Sequence, residues 1–272
     1  MKKLSLAGII FGAVVIVSLL VPAIFANDLT SYDPIRPSID NRLAPPSQQH
    51  PFGTDGMGRD VQARVFHGLR TSLGIGLLAV VMSLVSGGVL GMLAGLFGGM
   101  VHNIIISYTR FLAAGPGIIL AIVVVWVGGT GTFISASGIS LLLAPGFTRV
   151  FSIVVSCLRD GNVDRRGYTK KAFAAIIARI SSSIGIAALI YAGFGLIGLG
   201  AQPPAPELGA MIGQGFEFLR NASFLVVYPS LALTLFALSF GIFGESLNAF
   251  IVEAKGGKEG AIPGGYRLGE NE

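Results

Sequence analysis

"SLGIGLLAVVMSLVSGGVLGMLAGL", residues 72–96, carries no charged side chain from end to end. A helix rises about 1.5 Å per residue, so roughly 20 apolar residues cross a hydrocarbon core about 30 Å thick. The stretch is therefore a membrane-spanning helix, and its reading sets the class of the whole chain. Composition agrees: 52% of the residues are hydrophobic, 12% are charged, and the mean hydropathy is +0.74. Soluble domains carry about a quarter charged residues. The 39 glycines fit the same class, because glycine is more frequent in membrane helices. Within the stretch and just beyond it, Gly87, Gly91, Gly95 and Gly99 recur every fourth residue. That spacing gives one slowly rotating helix face on which two backbones can approach closely. The face suits a contact with another subunit or repeat, and equally a contact within the chain.

Outward from this span, five more apolar runs are long enough to cross. They are Leu4–Ala26, Ile104–Val127, Phe133–Leu158, Ala172–Gly200 and Phe224–Phe250. The first follows Lys2 and Lys3 and ends in "AIFAN", which resembles a signal-peptide cleavage site. Its apolar run exceeds the roughly 7–15 residues of a signal-peptide core, which argues for a retained anchor. The spacing predicts an all-α membrane protein with six transmembrane helices. It divides into an anchor (1–26), an extracytoplasmic segment (27–71), a five-helix core (72–250) and a flexible polar tail (251–272). Pro116 interrupts the third span and Pro145 the fourth.

Positive charge sets the orientation. Residues 159–179 hold six basic residues (Arg159, Arg165, Arg166, Lys170, Lys171, Arg179) against Asp160 and Asp164. Residues 27–70 hold five arginines against five aspartates. With both termini in the cytoplasm, 159–179 falls inside, while 27–70, 128–132 and 201–223 fall outside. The net charge of +5 gives no sign of nucleic-acid binding, because the basic residues are not spread over a soluble surface.

Several chemistries are disfavoured. Cys157 is the only cysteine, which rules out an intrachain disulfide and a cysteine zinc cluster. No GxxxxGK[ST] loop is present to cradle a nucleotide phosphate. The spans hold few ionisable residues; Arg110, Arg149 and Glu245 are the clearest, and all are expected near an interface. Ion-coupled carriers place carboxylates or histidines near mid-depth, so the energy for any transport here comes from elsewhere.

Between the first two spans lies "HPFGTDGMGRDV", residues 50–61. Its histidine and aspartates, with His67 beyond, raise the question of a metalloenzyme, with His50, Asp55, Asp60 and His67 as ligands. Against this, they lack HExxH spacing and lie in a glycine-broken segment. The expectation is structural: glycines for tight turns, and Asp55, Arg59 and Asp60 pairing or capping the next helix. On the cytoplasmic side, the basic loop 159–179 suits a short amphipathic helix. It docks a soluble partner or touches anionic lipid. In 201–223, Pro203, Pro204 and Pro206 precede Leu208, Met211, Ile212, Phe216 and Leu219 at helical spacing. This short helix contacts an extracytoplasmic protein or caps the bundle.

"HPFGTDGMGRDV", followed by "ARVFHGLRTSLGIG" (63–76), resembles the segment before the second span in permease subunits of the binding-protein-dependent ABC importers for dipeptides, oligopeptides and nickel. In this motif the matching residues are His50, Gly53, Thr54, Asp55, Gly58, Arg59 and Asp60. "IGLGAQPPAPELGAMI" (197–212) resembles the segment after their fifth span, with Ile197 in place of a leucine. "YDP" (32–34), "RLAPPSQQHPFGTD" (42–55), "TRFLAAGPGIILAI" (109–122) and "APGFTRVFSIVVS" (144–156) fit the same family, so the resemblance covers nearly the whole chain up to about residue 250.

The resemblance implies a type I importer fold and a permease half in a bacterial or archaeal plasma (inner) membrane. It implies a second homologous permease, two cytoplasmic ATPases that bind ATP and Mg, and an extracytoplasmic binding protein that delivers peptides or metal chelates. No cofactor and no enzymatic activity of the chain's own are implied. The family docks its ATPases through a Glu-Ala-Ala segment between spans four and five, with a later glycine and a Leu-Pro. The corresponding residues here are Asp164, Arg165, Arg166, Tyr168, Lys170, Lys171 and Ala172. The sequence departs there: Lys170 and Lys171 replace the glutamate and first alanine, only Ala172 fits, and the glycine and Leu-Pro are missing. That departure leaves a second reading, a non-transporting assembly or sensor subunit of such a complex.

Overall fold

The structure, a computed structural model, describes residues 2–129, 131–159 and 165–253. The described chain is all-α. In order the helices are α1 (Lys2–Ile24), α2 (Ala26–Leu29), α3 (Val61–Phe97), α4 (Gly99–Ala113), α5 (Pro116–Gly128), α6 (Thr132–Arg159), α7 (Arg165–Leu196), α8 (Leu208–Gly215) and α9 (Phe224–Glu253). Five of them, α1, α3, α6, α7 and α9, are long and apolar enough to cross a membrane. The pair α4 and α5 makes a sixth if it is taken as one span; the two are bent by 76°.

Glycine and proline punctuate these helices as their backbone chemistry requires. α3 stops at Gly98, whose φ of 61° is a left-handed cap. The break between α4 and α5 falls at Gly115, with φ of 114°, and Pro116 starts the next helix where its missing N–H costs nothing. Pro145, in contrast, leaves α6 unbroken. It is buried, and α3 packs on the same turn at Ala144 and Phe147. Membrane helices tolerate proline where neighbours support the freed backbone.

Two boundaries differ from those expected. α3 begins at Val61, eleven residues before the apolar run, because Asp60 caps it there. At 37 residues it is roughly 55 Å long, well beyond the hydrocarbon core. α7 begins at Arg165 and continues to Leu196 without a break, so the basic segment is the first turns of a long helix rather than a separate short one. The stretch from Tyr168 to Ser183 contains no glycine or proline that would end a helix.

Packing follows small residues. A β-carbon added at Gly87, Gly91 or Gly95 would crowd the carbonyl oxygens of Ala144, Thr148 and Ser152, at 2.5, 2.5 and 2.9 Å. The offset along the two chains is constant, so α3 and α6 run parallel. Ser83 extends the seam by donating to the Ser140 carbonyl (3.3 Å). Gly185 and Gly244 seat against the carbonyls of Ala237 and Ala178, which makes α7 and α9 antiparallel. Gly8 and Gly12 bring α1 onto Ser246 and Phe243 of α9, also antiparallel. As a result, the beginnings of α1 and α7 and the ends of α3, α6 and α9 share one end of the bundle. The loop 30–60 and α8 occupy the other.

Candidate functional site: a collar on the long helix

The segment 50–61 folds as a compact turn on the first residues of α3. Gly53 and Gly58, both with φ of 74°, supply the left-handed positions, and a β-carbon at Gly58 would run into the Ser38 carbonyl. Thr54 pairs with Asp60 in an isolated antiparallel bridge. Its hydroxyl donates to the Asn41 carbonyl and accepts from Ala44 N (2.8 Å), which ties in the strand of chain upstream.

Each charged residue here has a defined partner. Asp60 caps α3 by accepting from Ala63 N (2.7 Å), and its other oxygen accepts from His50 Nδ1 (2.8 Å). Asp55 accepts from the backbone N–H of Met57 and Arg59 (2.9 and 3.0 Å) and from Arg59 Nε (2.7 Å). Arg64 Nε approaches the same carboxylate at 3.5 Å, while its Nη1 donates to the Pro34 carbonyl (3.0 Å). Arg59, Asp60 and Arg64 are almost fully buried. Buried charges survive only when paired and hydrogen-bonded, and this set satisfies that condition internally. Phe52 stacks on Tyr228 of α9, with centroids 4.2 Å apart, and meets Phe66 of α3 edge-on. The collar thus locks α3 to α9.

The geometry does not gather the four candidate ligands. Asp55 is committed to arginines. His67 lies on α3, bonded to the Ala63 carbonyl and the Asn27 side chain (both 2.9 Å). Among the described residues no group of three or more His, Cys, Asp or Glu is placed to hold a metal ion.

Across from the collar, α8 carries Leu208, Met211 and Ile212 inward, while Phe216 and Leu219, just beyond it, are exposed. A cavity of about 300 Å³ opens between collar and α8, lined by Arg42, Asp55, Arg59, Arg64, Gln214 and Glu217 among others. At the start of α8 lies a residue the sequence reading passed over. Glu207 is fully buried and caps α8, accepting from Gly209 N (2.9 Å) and Ala210 N (2.7 Å). Its carboxylate fits against Gly195, where a β-carbon would overlap it, and near Gly200. Burial pushes this carboxyl up to about 7, and the two backbone donors hold it down only in part. The signal available was its place, just after the prolines and directly before a helical run, although glutamate is not among the usual caps.

At the opposite end, Gly87, Gly91 and Gly95 form the intrachain seam with α6. Gly99 does not join them: it lies past the cap, exposed, with φ of 49° and open space around it. Arg159, the last residue of α6, donates to the Gly95 and Leu96 carbonyls (3.1 and 3.3 Å), where the end of α3 leaves acceptors without helical partners. Ala172 is buried. Arg165, Arg166, Tyr168, Lys170 and Lys171 lie on the first turns of α7, their side chains outside the described set. Asp164 and residues 254–272 lie outside the described residues altogether.

No family model matches the chain. Individual relatives do. Over 262 residues it is 33% identical to the dipeptide transport system permease protein DppC of Alkalihalophilus pseudofirmus, covering 91% of this chain and 86% of that one. Over 261 residues it is 36% identical to the DppC protein of Escherichia coli K12, covering 89% and 87%. Over 217 residues it is 32% identical to the glutathione transport system permease protein GsiD of Pectobacterium atrosepticum, covering 75% and 72%.

Proposed function

Since the chain belongs to the permease family of the ABC peptide importers, we propose that it forms one half of a pathway for short peptides, paired with a second, homologous permease. Two ATPase subunits on the cytoplasmic side supply the energy, and an extracytoplasmic binding protein delivers the cargo. The observation that carries the cargo class is the agreement of relatives named for dipeptide and glutathione transport across nine-tenths and three-quarters of the chain. Metal chelates are the less favoured cargo on the same ground.

In this reading the chain crosses six times with both ends inside, and α4 and α5 together make the third crossing. The parallel run of α3 and α6 supports it, because the chain between them has to return to the collar end. The basic first turns of α7, with Ala172, form the ATPase contact. The collar and α8 form the outer face, a rigid rim that meets the second permease or the binding protein. The subunit contributes no catalytic group and binds no cofactor; nucleotide and Mg are held by the ATPases.

The test is assembly and uptake together. The tagged chain is expected to co-purify with a second permease and two ATPase chains, and its deletion to abolish dipeptide uptake. Complexes whose ATPase ignores peptide-loaded binding protein, in cells whose uptake survives the deletion, would turn the reading toward the non-transporting alternative. Asp55→Ala and Arg59→Ala should each lower assembly or uptake at least severalfold; normal assembly and transport in both would remove the rim role.

A further inference from the structure

α4 carries a positive charge, Arg110, that no described residue neutralises. Among the described residues the Arg110 guanidinium makes no hydrogen bond or ion pair. Helices α3 to α6 contain no aspartate or glutamate at all. By its level in the bundle the residue also lies away from both ends of α6, where a lone arginine would be unremarkable. His102, near the start of α4, lies 3.4 Å from Ser152 of α6. Gly117, just past its end, packs on Leu142 of α6. Arg110 falls between those two levels, near that of Gly146 and Phe147, the middle of α6.

Its direction is equally informative. Thr109 and Leu112 are the buried side of α4. Asn103, Ser107, Arg110 and Ala114 recur at intervals of four, three and four, on the opposite side, and all are exposed. A charged side chain at mid-depth faces a bundle interior or water, not lipid. Four residues after Arg110 the helix breaks, and a helix break at membrane depth is tolerated where protein or water covers it. The polar stripe, which runs beside the exposed Ile104 and Phe111, and the break suit the wall of an aqueous path.

We infer that Arg110 lines the translocation pathway and receives the C-terminal carboxylate of the passing peptide, with Asn103 and Ser107 offering further polar contacts along the same wall. The inference rests on the peptide-import reading above. A guanidinium matches a carboxylate in shape and charge, and a peptide's free carboxylate is the counter-charge that these four helices lack.

The experiment uses the whole complex, with its binding protein, in proteoliposomes, and follows radiolabelled dialanine and its C-terminal amide at concentrations that saturate the binding protein. Wild type should import the free acid at least about tenfold faster than the amide. Arg110→Gln should lose most of that preference by slowing the free acid, and Arg110→Lys should retain it in large part. Co-purification of the second permease is measured alongside. Arg110→Gln complexes that keep the wild-type preference would overturn the assignment. So would loss of the second permease from those complexes, which would make Arg110 a subunit contact. If wild type imports neither compound, the peptide reading falls, and this inference with it.

Discussion

Glu207 shows how much one side chain can hold at a junction. Its carboxylate joins the end of α7 to the start of α8, with no ion pair among the described residues. Burial raises its folded pKa from 4.5 to about 7. Between those values the folded state binds the proton more tightly than the unfolded chain, so stability falls as pH rises from about 4.5 to 7 and is level above that. The effect is on the order of 1–3 kcal/mol. Glu207→Gln removes the titration, although its amide group faces one backbone N–H that it cannot accept from. The thermal midpoint of the detergent-solubilised wild type should therefore decline across pH 5–7, and the variant's should decline less. Parallel curves for the two proteins would mean that Glu207 is ionised throughout.

Among the elements, the seam between α3 and α6 depends on three glycines. At Gly91 a β-carbon would lie 2.5 Å from the Thr148 carbonyl oxygen and 2.6 Å from the Phe151 β-carbon, so Gly91→Leu has to push the helices apart. Overpacking of this kind costs about 1–3 kcal/mol or more. Gly74, on the same helix, has no neighbour within 4 Å, and Gly74→Ala should be neutral or raise stability by up to about 1 kcal/mol. Thermal unfolding of the two variants in detergent separates packing from propensity; equal midpoints would show that the seam carries no stability.

The sequence made this element legible only in part. Spacing places Gly87, Gly91 and Gly95 on one face, but the partner of that face is a tertiary fact. Gly99 fits the same spacing, yet it lies beyond a helix end that a left-handed Gly98 creates. Hydropathy located the five long helices because burial in lipid is a property of each segment. It missed the start of α3, because a cap, not hydrophobicity, sets it. It also missed the continuity of α7, which follows from the absence of a breaker, and the buried Glu207, whose environment is assembled from two distant glycines.

At the scale of the whole molecule, the question is how many times the chain crosses. α3 and α6 are parallel neighbours in register: Gly87, Gly91 and Gly95 meet the residues 57 positions on, at the same heights, as Ser83 meets Ser140. α3 ends at Phe97 and α6 begins at Thr132, a residue level with Ile75 by that offset. The intervening chain therefore climbs about 22 residues of helix, roughly 33 Å, which is the thickness of a hydrocarbon core. A re-entrant loop would bring the chain back to the end where it started, and the parallel packing argues against that. α4 climbs from the level of Ser152 to about that of Leu142, and α5 continues the climb alongside α6, with Gly138 against Ala121 and Gly128 against Ile134. The bent pair should thus behave as one full crossing. In a Cys157→Ser background, single cysteines at Gln48, Gly131 and Tyr168 report the sides directly. In right-side-out vesicles a membrane-impermeant maleimide should label the first two and reach the third only after permeabilisation. Labelling of the Gly131 position together with that of Tyr168 would make α4 and α5 a re-entrant pair and leave five crossings.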